Sequence, residues 1–421
     1  MEAKLTSSPA NKKISNQYSL INKSIPSYVL EVIRKLQQYD FQAYMVGGCI
    51  RDLLLNIQPK DFDIATNAHP DQVTAIFKNS RIIGRRFKIV HVRIDRQIIE
   101  VSTFRKKPSE VNKLRNGVVQ DNAFGTIEED AQRRDFTMNA IFYDPINNHL
   151  FDPFNGKKDL EDGYINFIGN AEKRIQEDYL RILRYLRFYL NYSNHEHQPE
   201  IIKNIKKNID GISNISSERL IDELKKITSS NGFLKLFKDK ESLELIEIIF
   251  PQLKNIKNFK KQNSYAAENF LKIDFIFLIA LLVIDGTDNA DYFLYKFKIS
   301  NKDKKRLKLI DLFYREKVTL NNFTEKNLNK FFYFNGRQAV LDIINFKIFI
   351  SNKVEKKLIK LLDTYKEKVI PTLPIGADLL MSKFQIPEGK TLGNKLKRIE
   401  ETWVQNGFQI SDKQVQQIVK S

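Results

Sequence analysis

Apolar residues recur along the chain with two different periods, and the change from one to the other divides the sequence. Between residues 26 and 155, short apolar runs predict strands that alternate with short helices. The predicted strands cover 43–46, 63–65, 81–84, 89–94, 98–104 and 141–143, and the predicted helices cover 26–39, 50–55 and 71–79. Residues 106–122 have no period and contain Pro108 and Gly117, which predicts a loop within this region.

Beyond residue 156 the apolar positions follow a period of 3.6, which is typical of amphipathic helices. The predicted helical stretches are 172–191, 216–228, 232–248, 264–284, 301–317, 338–349, 353–368 and 391–405. The pattern therefore predicts an α+β fold, in which a head with a small mixed sheet is followed by an all-α region. We expect a polar, disordered leader over residues 1–25 and the head over 26–155. A helical neck over 156–230 and a helical body and tail over 231–421 would follow.

Charge is unevenly distributed along the 421 residues. The chain carries a formal net charge of +18, and residues 201–421 hold +14 of it. Most of these cations are lysines scattered along helical patterns, so they suit a broad surface for a polyanion such as RNA. A lysine-rich composition with a solvated surface is the alternative, and charge alone leaves both open.

Composition also excludes several classes of protein. A single cysteine excludes a disulfide framework and a cysteine-rich zinc site, which fits a cytoplasmic protein. No charged segment followed by an apolar core opens the chain, so we expect no secretion signal. The most apolar run, 275–284, is about half as long as a membrane span and predicts a buried helix, with no membrane partner.

Two glycines, Gly47 and Gly48, come directly after a predicted strand and before a predicted helix, with Arg51 one turn further on. Without Cβ atoms, they allow backbone N–H groups to approach phosphate oxygens. An ordinary turn between a strand and a helix is the alternative for this pattern by itself.

Asp61 and Asp63 follow in the segment KDFDI. If this segment is a strand, alternation puts both carboxylates on one face, where they repel each other. Such a pair suits Mg²⁺, which prefers oxygen ligands, whereas a solvated turn is the alternative. Glu100, the polar break in an apolar run, is a candidate third carboxylate or else an edge-strand residue that faces water.

Two charged segments complete the candidate chemistry. As a helix, 128–140 would bring Arg134 and Asp135 near the ribose and triphosphate of a nucleotide, although it also reads as a solvated charged helix. In 177–188, polar residues recur at three-residue intervals on one side of a predicted helix: Asp178, Arg181, Arg184 and Arg187. An acidic acceptor beside an arginine fork can read the edge of a base, and a solvated basic face is the alternative.

With these segments in order, the sequence resembles the class II nucleotidyltransferases, the family of bacterial CCA-adding enzymes and poly(A) polymerases, over about residues 27–408. The motifs that carry the resemblance are GGCIRD at 47–52, KDFDIATNAHP at 60–70, EEDAQRRDFTMNA at 128–140, FDPFNGKKDLEDG at 151–163 and EDYLRILRYLRF at 177–188. The resemblance implies a nucleotidyltransferase head like that of DNA polymerase β, followed by a helical neck, body and tail.

The resemblance also implies the chemistry and the residues that perform it. Asp61 and Asp63 would hold two Mg²⁺ ions, for which Mn²⁺ can substitute, and Asp135 would be catalytic. The implied nucleotide-binding residues are Gly47, Gly48, Arg51 and Arg134 for the phosphates and ribose, with Asp178, Arg181 and Arg184 for the base. The neck would recognise the base of ATP, and the body and tail would bind RNA.

Two segments resemble the poly(A) polymerase branch of the family: 81–92, with a basic pair before Phe87 and Lys88 after it, and 121–137. The predicted activity is template-independent addition of AMP from ATP to the 3′ ends of mRNA and other transcripts, with release of pyrophosphate, by a cytoplasmic monomer. The chain departs from the branch in having Tyr179 where a proline is usual and in lacking an arginine-rich C-terminal extension.

Two alternatives remain at this point: a tRNA CCA-adding or A-adding enzyme, and a catalytically idle RNA-binding protein on the same fold. Two neighbouring aspartates argue against the idle protein. Asp178 and Arg181 do not exclude CTP, because ATP and CTP both present an amino donor beside a ring-nitrogen acceptor. We therefore expect Tyr179 and the basic segment 85–88 to set a pocket of purine width.

Overall fold

The computed structural model describes residues 21–84, 88–106, 124–260, 263–315 and 323–420, and the chain divides into two compact units. The first unit ends at residue 215 and also takes in 230–232, while the second comprises 216–229 and residues from 233 onward. Most of the predicted leader, Arg85 to Phe87 and nearly all of the predicted loop 106–122 lie outside the described residues.

A seven-stranded sheet forms the centre of the first unit. Its strands are β1 (Ala43–Val46), β2 (Asp63–Thr66), β3 (Ser80–Ile83), β4 (Ile89–Ile94), β5 (Gln97–Thr103), β6 (Phe142–Asp144) and β7 (His149–Phe151). They are arranged in the order β3-β4-β5-β2-β1-β6-β7, and only β2 and β5 are parallel. The predicted mixed sheet is confirmed; β7 has only three residues, too few for a period to be recognised.

Eight α-helices of the first unit lie in the described residues. They are α1 (Ser27–Gln38), α2 (Gly48–Leu54), α3 (Pro70–Ile76), α4 (Ile127–Arg133), α5 (Gly156–Asp162), α6 (Ala171–Glu177), α7 (Arg181–Tyr192) and α8 (Pro199–Asn208). The three helices predicted before residue 80 are present. A short 3₁₀ helix at Thr137–Asn139 and another at Ile209–Asn214 complete the unit.

The two faces of the sheet are covered to different extents. One face contributes Met45, Ile64 and Val101 to a core that α1, α2 and α3 share. On the other face, Val46 and Ala65 pack into a smaller cluster with residues of α4. Because successive strand residues alternate between faces, Asp63 lies on the second face, the one with the smaller cluster.

Three predictions for the first unit are wrong in detail. Ile21 and Ile25 are buried in the core, so the disordered leader does not extend to residue 25. The helix predicted over 128–140 ends at Arg133, after which Arg134 takes extended backbone angles. The single helix predicted over 172–191 is broken, because Asp178 is extended between α6 and α7.

The described part of the second unit is helical. Its α-helices are α9 (Ser217–Thr228), α10 (Phe233–Leu236), α11 (Lys240–Ile249), α12 (Ser264–Asn269), α13 (Phe275–Val283), α14 (Asn289–Lys296), α15 (Asn301–Arg315), α16 (Glu325–Ile350), α17 (Lys356–Glu367), α18 (Ala377–Phe384), α19 (Lys390–Gln405) and α20 (Asp412–Lys420). The prediction of an α/β head followed by helices is confirmed.

Two long helices of the predicted set are broken by caps. The stretch 232–248 is interrupted at Asp239, whose side chain accepts a hydrogen bond from the N–H of Ser242. The stretch 264–284 is interrupted at Asp274, which caps α13 in the same way. Period alone did not reveal either break, because an aspartate within a helical pattern can be a cap or a surface residue. As predicted, α13 is buried, and none of the described helices has the length and apolar character that crossing a membrane requires.

Candidate active site

A cavity of about 470 Å³ in the first unit brings together residues that are far apart in sequence. Its lining residues are Gly47, Gly48, Arg51, Asp63, Arg133, Arg134, Asp135, Asn139, Asp178, Arg181, Arg184, Arg187 and Phe188. All the predicted nucleotide-binding residues and two of the three predicted catalytic aspartates are among them. Six arginines face three aspartates here, so the lining carries a formal excess of three positive charges that suits a polyphosphate.

The turn between β1 and α2 forms one wall of this cavity. Gly47 has a φ of 77°, a left-handed conformation that residues with a Cβ rarely adopt. Its Cα also lies against Arg134, since a Cβ built there would be 3.5 Å from Nη1. Arg51, one turn into α2, is buried and stacks over the rings of Phe188 and Tyr192 at 5.3 and 4.7 Å. The turn thus presents backbone and a fixed guanidinium to the cavity.

Asp130, on α4, holds two arginines at the rim of the cavity. Its side chain is almost fully buried and accepts hydrogen bonds from Arg133 Nε at 2.7 Å and Arg134 Nη2 at 3.0 Å. Burial raises the pKa of Asp130, but the charges and hydrogen bonds of Arg134 and Arg133 outweigh it and hold the pKa below its usual range. Asp130 is therefore a permanent anion that orients both guanidinium groups.

Asp135 lies at the centre of a buried hydrogen-bond network. One carboxylate oxygen accepts bonds from the N–H of Phe136 and from Asn139 Nδ2, and the other accepts from Arg184 Nε at 2.6 Å. Asn139 in turn accepts a hydrogen bond from Arg51 Nη1 at 3.1 Å. Burial raises the pKa of Asp135, and the Arg184 charge with these hydrogen bonds more than offsets it, so the pKa is lowered. Both oxygens are thus used to link α2, the 3₁₀ turn and α7.

The break between α6 and α7 aims the predicted base-reading residues at the cavity. Because Asp178 is extended, α7 starts at Arg181 and the two residues face the cavity from either side of the break. Arg181 Nη1 donates to the carbonyl of Arg174 at 2.6 Å and to Glu177 Oε2 at 2.8 Å. The end of α6 therefore fixes the direction of Arg181.

Tyr179 does not line the cavity, and the expectation that it helps to fix the width of the base pocket by packing stays a prediction. Its ring instead lies against Gly211, where an added Cβ would come within 2.1 Å of a ring carbon. Only glycine leaves room for this contact. Tyr179 thus packs behind the break between α6 and α7. The predicted partner in setting pocket width, 85–88, lies outside the described residues except for Lys88.

Asp63 is the first residue of β2 and is half-buried, whereas Asp61 precedes the strand and is exposed. The two aspartates therefore do not lie on one strand. The alternation along a single strand, which had suggested a shared face, does not apply to them. Burial, then the nearby charge of Glu100, and to a smaller extent that of Asp61, raise the pKa of Asp63 to about 6, although Arg134 opposes them. A divalent cation such as Mg²⁺ prefers oxygen ligands, and its charge offsets the repulsion between neighbouring carboxylates. These two residues therefore fit such an ion.

Glu100 lies directly opposite Asp63 in the parallel pairing of β2 with β5. Its Oε1 is 3.2 Å from Nε2 of His91 on β4. Across the described ranges, no three Asp, Glu, His or Cys side chains are close enough to hold a metal ion together. The charge of Glu100 thus acts on Asp63, while its carboxylate contacts His91. Its role as a third metal ligand stays a prediction.

Sequence reasoning missed three residues of the site. Arg133 and Phe188 line the cavity, and both stand next to residues that had been singled out. Arg174 is buried and donates to the carbonyl of Arg133 at 2.6 Å and to that of Arg134. Only the fold brings α6 to the end of α4, so no local signal could have identified Arg174.

Two family descriptions match the chain. "Poly A polymerase head domain" matches residues 43–166, and "Probable RNA and SrmB- binding site of polymerase A" matches residues 197–257. The first match covers the strands and helices that build most of the cavity.

Curated relatives carry two different names. A Poly(A) polymerase I from Haemophilus influenzae is 40% identical over 258 residues, which are 59% of this chain and 57% of that protein. A CCA-adding enzyme from Staphylococcus saprophyticus is 33% identical over 328 residues, 75% of each protein. The chain spans a little over half the length of the curated poly(A) polymerases it matches.

A solved structure shares the fold over almost the whole chain. The CCA-adding enzyme of Bacillus stearothermophilus, in complex with CTP, is 25% identical with a TM-score of 0.71, covering 93% of this chain and 96% of that one.

Proposed function

We propose a function on the premise that the chain belongs to the nucleotidyltransferase family of CCA-adding enzymes and bacterial poly(A) polymerases. On that premise the chain is an enzyme that transfers a nucleotide from a nucleoside triphosphate to the 3′ end of RNA. The reaction that we propose for it is polyadenylation. This is the repeated transfer of AMP from ATP, with release of pyrophosphate and without a template.

One observation carries this proposal. A single cavity is lined by the Gly47–Gly48 turn, by an excess of arginines, by an acidic strand end and by Asp178 with Arg181. Backbone N–H groups and guanidinium groups bind phosphate oxygens, while an acid beside an arginine can hydrogen-bond to a base. The lining therefore supplies partners for each part of a nucleoside triphosphate.

Asp61 and Asp63 are the proposed ligands of two Mg²⁺ ions. Held there, such ions would supply a lowered pKa for the attacking 3′ hydroxyl and positive charge for the α-phosphate. The raised pKa of Asp63, which comes from burial and from the charges of Glu100 and Asp61, supports a cation at this position.

The chain's own residues bind and orient the nucleotide. Arg51 and Arg134 would hold the β- and γ-phosphates, since both guanidinium groups are fixed by buried partners before substrate binds. Because these cations are already in place, they need not reorganise during the reaction. They stabilise the pyrophosphate as it leaves. Asp178 and Arg181 would hold the adenine edge.

Asp135 acts as a positioning residue in this proposal. Both of its carboxylate oxygens already accept hydrogen bonds, from Asn139 and Phe136 on one side and from Arg184 on the other. Its network connects Arg51, which would bind phosphate, to α7, which carries the base-reading residues. Asp135 thereby fixes the position of the phosphate-binding end of the site relative to the base-binding end.

Two observations favour different products. The basic pair before Phe87 and the 40% identity with a Poly(A) polymerase I favour polyadenylation. The longer match with a CCA-adding enzyme, over 75% of both proteins, favours addition of C and A to tRNA as the second candidate. The local pattern between β3 and β4 differs between the two branches, so we give it more weight than overall coverage.

The experiment that tests the proposal supplies each nucleoside triphosphate separately to an unstructured RNA primer. We expect long A tails with ATP and at least about tenfold lower kcat/KM with CTP, because a purine pocket loses stacking and hydrogen bonds with the smaller base. A trimmed tRNA given CTP with ATP is the matched comparison. If the protein adds C before A, stops after three nucleotides and accepts only tRNA, the CCA-adding candidate replaces polyadenylation.

A further inference from the structure

One half of the active-site face of the sheet, formed by β3, β4 and β5, carries a row of charged residues. Asp63, Glu100, His91 and Arg81 are direct partners in successive strand pairs, so they lie side by side across β2, β5, β4 and β3. Neighbouring strands are about 4.8 Å apart, so the row extends about 15 Å from Asp63 to the edge of the sheet. It begins acidic and ends basic.

Three cavities follow one another along this face. The nucleotide cavity shares Asp63, Arg133 and Arg134 with a second cavity of about 380 Å³, which Glu100 and Ser102 also line. A third cavity, of about 230 Å³, is lined by His91, the hydrogen-bond partner of Glu100. Asp63 thus stands between the first and second cavities, and the Glu100–His91 pair stands between the second and third.

The third cavity is cationic. Lys78, Arg81 and Arg93 line it together with His91, and no acidic residue lines it. In the described part of the chain, none of these three cations forms an ion pair. Three cations that no carboxylate of the described residues neutralises favour an anionic ligand.

We propose that this face of the head is the track of the RNA primer, with the third cavity as a phosphate-binding subsite upstream of the 3′ end. The terminal nucleoside occupies the second cavity, where its 3′ hydroxyl reaches Asp63 from the side opposite the nucleotide. Arg81, Arg93 and Lys78 then bind a phosphate of the preceding nucleotides. The inference rests on the proposed function, because it takes the first cavity as the nucleotide site.

Ile98 supports RNA rather than a free anion as the occupant. It lines the third cavity, and about half of its surface is exposed, which is unusual for a strand isoleucine. An apolar side chain beside cations can contact the face of a base or a ribose while the cations hold the phosphate. A free phosphate would leave this apolar surface in water.

The test measures RNA binding by the full chain, with RNA of about 15 nucleotides whose 3′ end lacks the hydroxyl so that it cannot be extended. The variant Arg81→Ala/Arg93→Ala is compared with Lys23→Ala/Arg34→Ala, which removes two exposed cations that line none of the three cavities. We expect Kd to rise about tenfold in the first variant and less than about twofold in the control. The slope of log affinity against log salt should flatten by about 1.4, which is about 0.7 for each of two phosphate contacts.

A neutral methylphosphonate placed at one RNA phosphate at a time locates the contact. Near the 3′ end, the neutral linkage should weaken binding to the wild-type protein but cause no further loss in Arg81→Ala/Arg93→Ala, because the contact is already missing there. Near the 5′ end, it should weaken both proteins equally. Thermal unfolding of the two variants verifies that each is folded.

The outcomes separate this inference from the proposed function. Equal Kd values for the two double variants would overturn the proposed RNA track. So would a loss of affinity from the neutral linkage that adds to the loss from Arg81→Ala/Arg93→Ala at every phosphate. Neither result would affect the proposed activity. Failure of the wild-type protein to bind any RNA would contradict the proposed function itself. Binding is also independent of which nucleotide is added, so a CCA-adding activity would not disturb this test.

Discussion

Asp63 is kept ionised at a cost, because burial and two neighbouring acids disfavour its charge. Its pKa is raised to about 6 mainly by burial and then by the charge of Glu100. A side chain that served folding alone would be more stable as an amide or an apolar residue. The setting of Asp63 therefore fits the proposed cation binding and costs folding stability.

Replacing either metal-binding candidate should remove activity without removing the fold. We expect Asp61→Ala and Asp63→Ala each to lower the rate of nucleotide addition by at least about 10³, while RNA affinity stays within about twofold. The measurement is single-turnover extension of a labelled RNA primer. Asp71→Ala, at an exposed aspartate of α3, is the control and should retain full activity. More than about a tenth of wild-type activity in the double variant would contradict the metal assignment.

The free energy of unfolding should report the cost of Asp63 directly. Since the folded-state pKa is above the unfolded value of 3.8, ionisation of Asp63 destabilises the fold progressively between about pH 4 and pH 6, and fully above that. Without divalent ions, Asp63→Asn should therefore be more stable than wild type by about 1–2 kcal/mol at pH 7.5 and no more stable near pH 4. Urea unfolding in EDTA at both pH values measures this. An equal gain at both values would mean that the charge is not the cause.

Polar contacts link α7 to the elements that flank it. Asp135, between α4 and the 3₁₀ turn, accepts a hydrogen bond from Arg184 on α7. Arg181 on the same helix is held by the end of α6. The direction of α7 thus depends on polar contacts that also define the nucleotide site.

Loss of the Arg184 partner should destabilise the fold in a pH-dependent way. Burial alone would raise the pKa of Asp135, whereas Arg184 lowers it, so the pair stabilises the fold above the unfolded pKa and loses this effect as pH falls through the folded pKa. We expect Arg184→Met to reduce the free energy of unfolding by about 3 kcal/mol at neutral pH and by less in acid. Urea unfolding from neutral to acid pH measures it. Asp135→Asn/Arg184→Met should recover part of the loss, and a double variant less stable than Arg184→Met would refute the pairing.

Arg181 should affect the choice of nucleotide more than the binding of RNA. Its guanidinium is aimed into the cavity by Glu177 and the carbonyl of Arg174. We expect Arg181→Ala to lower the ratio of kcat/KM for ATP to that for CTP, while Kd for RNA changes less than about twofold. Steady-state extension with each nucleotide measures the ratio, and Arg34→Ala is the control. An unchanged ratio would exclude Arg181 from base selection.

The chain as a whole carries +18, and residues 201–421 hold +14 of it. On the proposed function, lysines spread over helices would provide a long-range attraction for RNA, whereas the cations along the sheet of the head would act at defined phosphates. Binding strength and register would then come from different parts of the chain.

The salt dependence of RNA binding should reflect the charge of the helical half. We expect a slope of log affinity against log salt of about −3 or steeper for the full chain, at about −0.7 for each phosphate contact. Lys302→Gln/Lys305→Gln, which removes two exposed lysines of α15, should flatten the slope. Lys23→Gln/Arg34→Gln removes two exposed cations outside that half and should not flatten the slope. Equal slopes in the two variants would contradict a role for the helical half.

Local sequence determined the strands and most helices, because the period of apolar residues reflects which face of each element is buried. It also singled out most of the residues that line the cavity of the first unit, since turn glycines, aspartates and spaced arginines keep their chemistry in any fold. The tertiary structure decided how these residues are used. Asp178 is extended and interrupts a helical pattern, and Tyr179 beside it packs on Gly211. The second oxygen of Asp135 is bound because α7 passes beside it. Strand register, which no local period encodes, aligned Asp63, Glu100, His91 and Arg81 in one row.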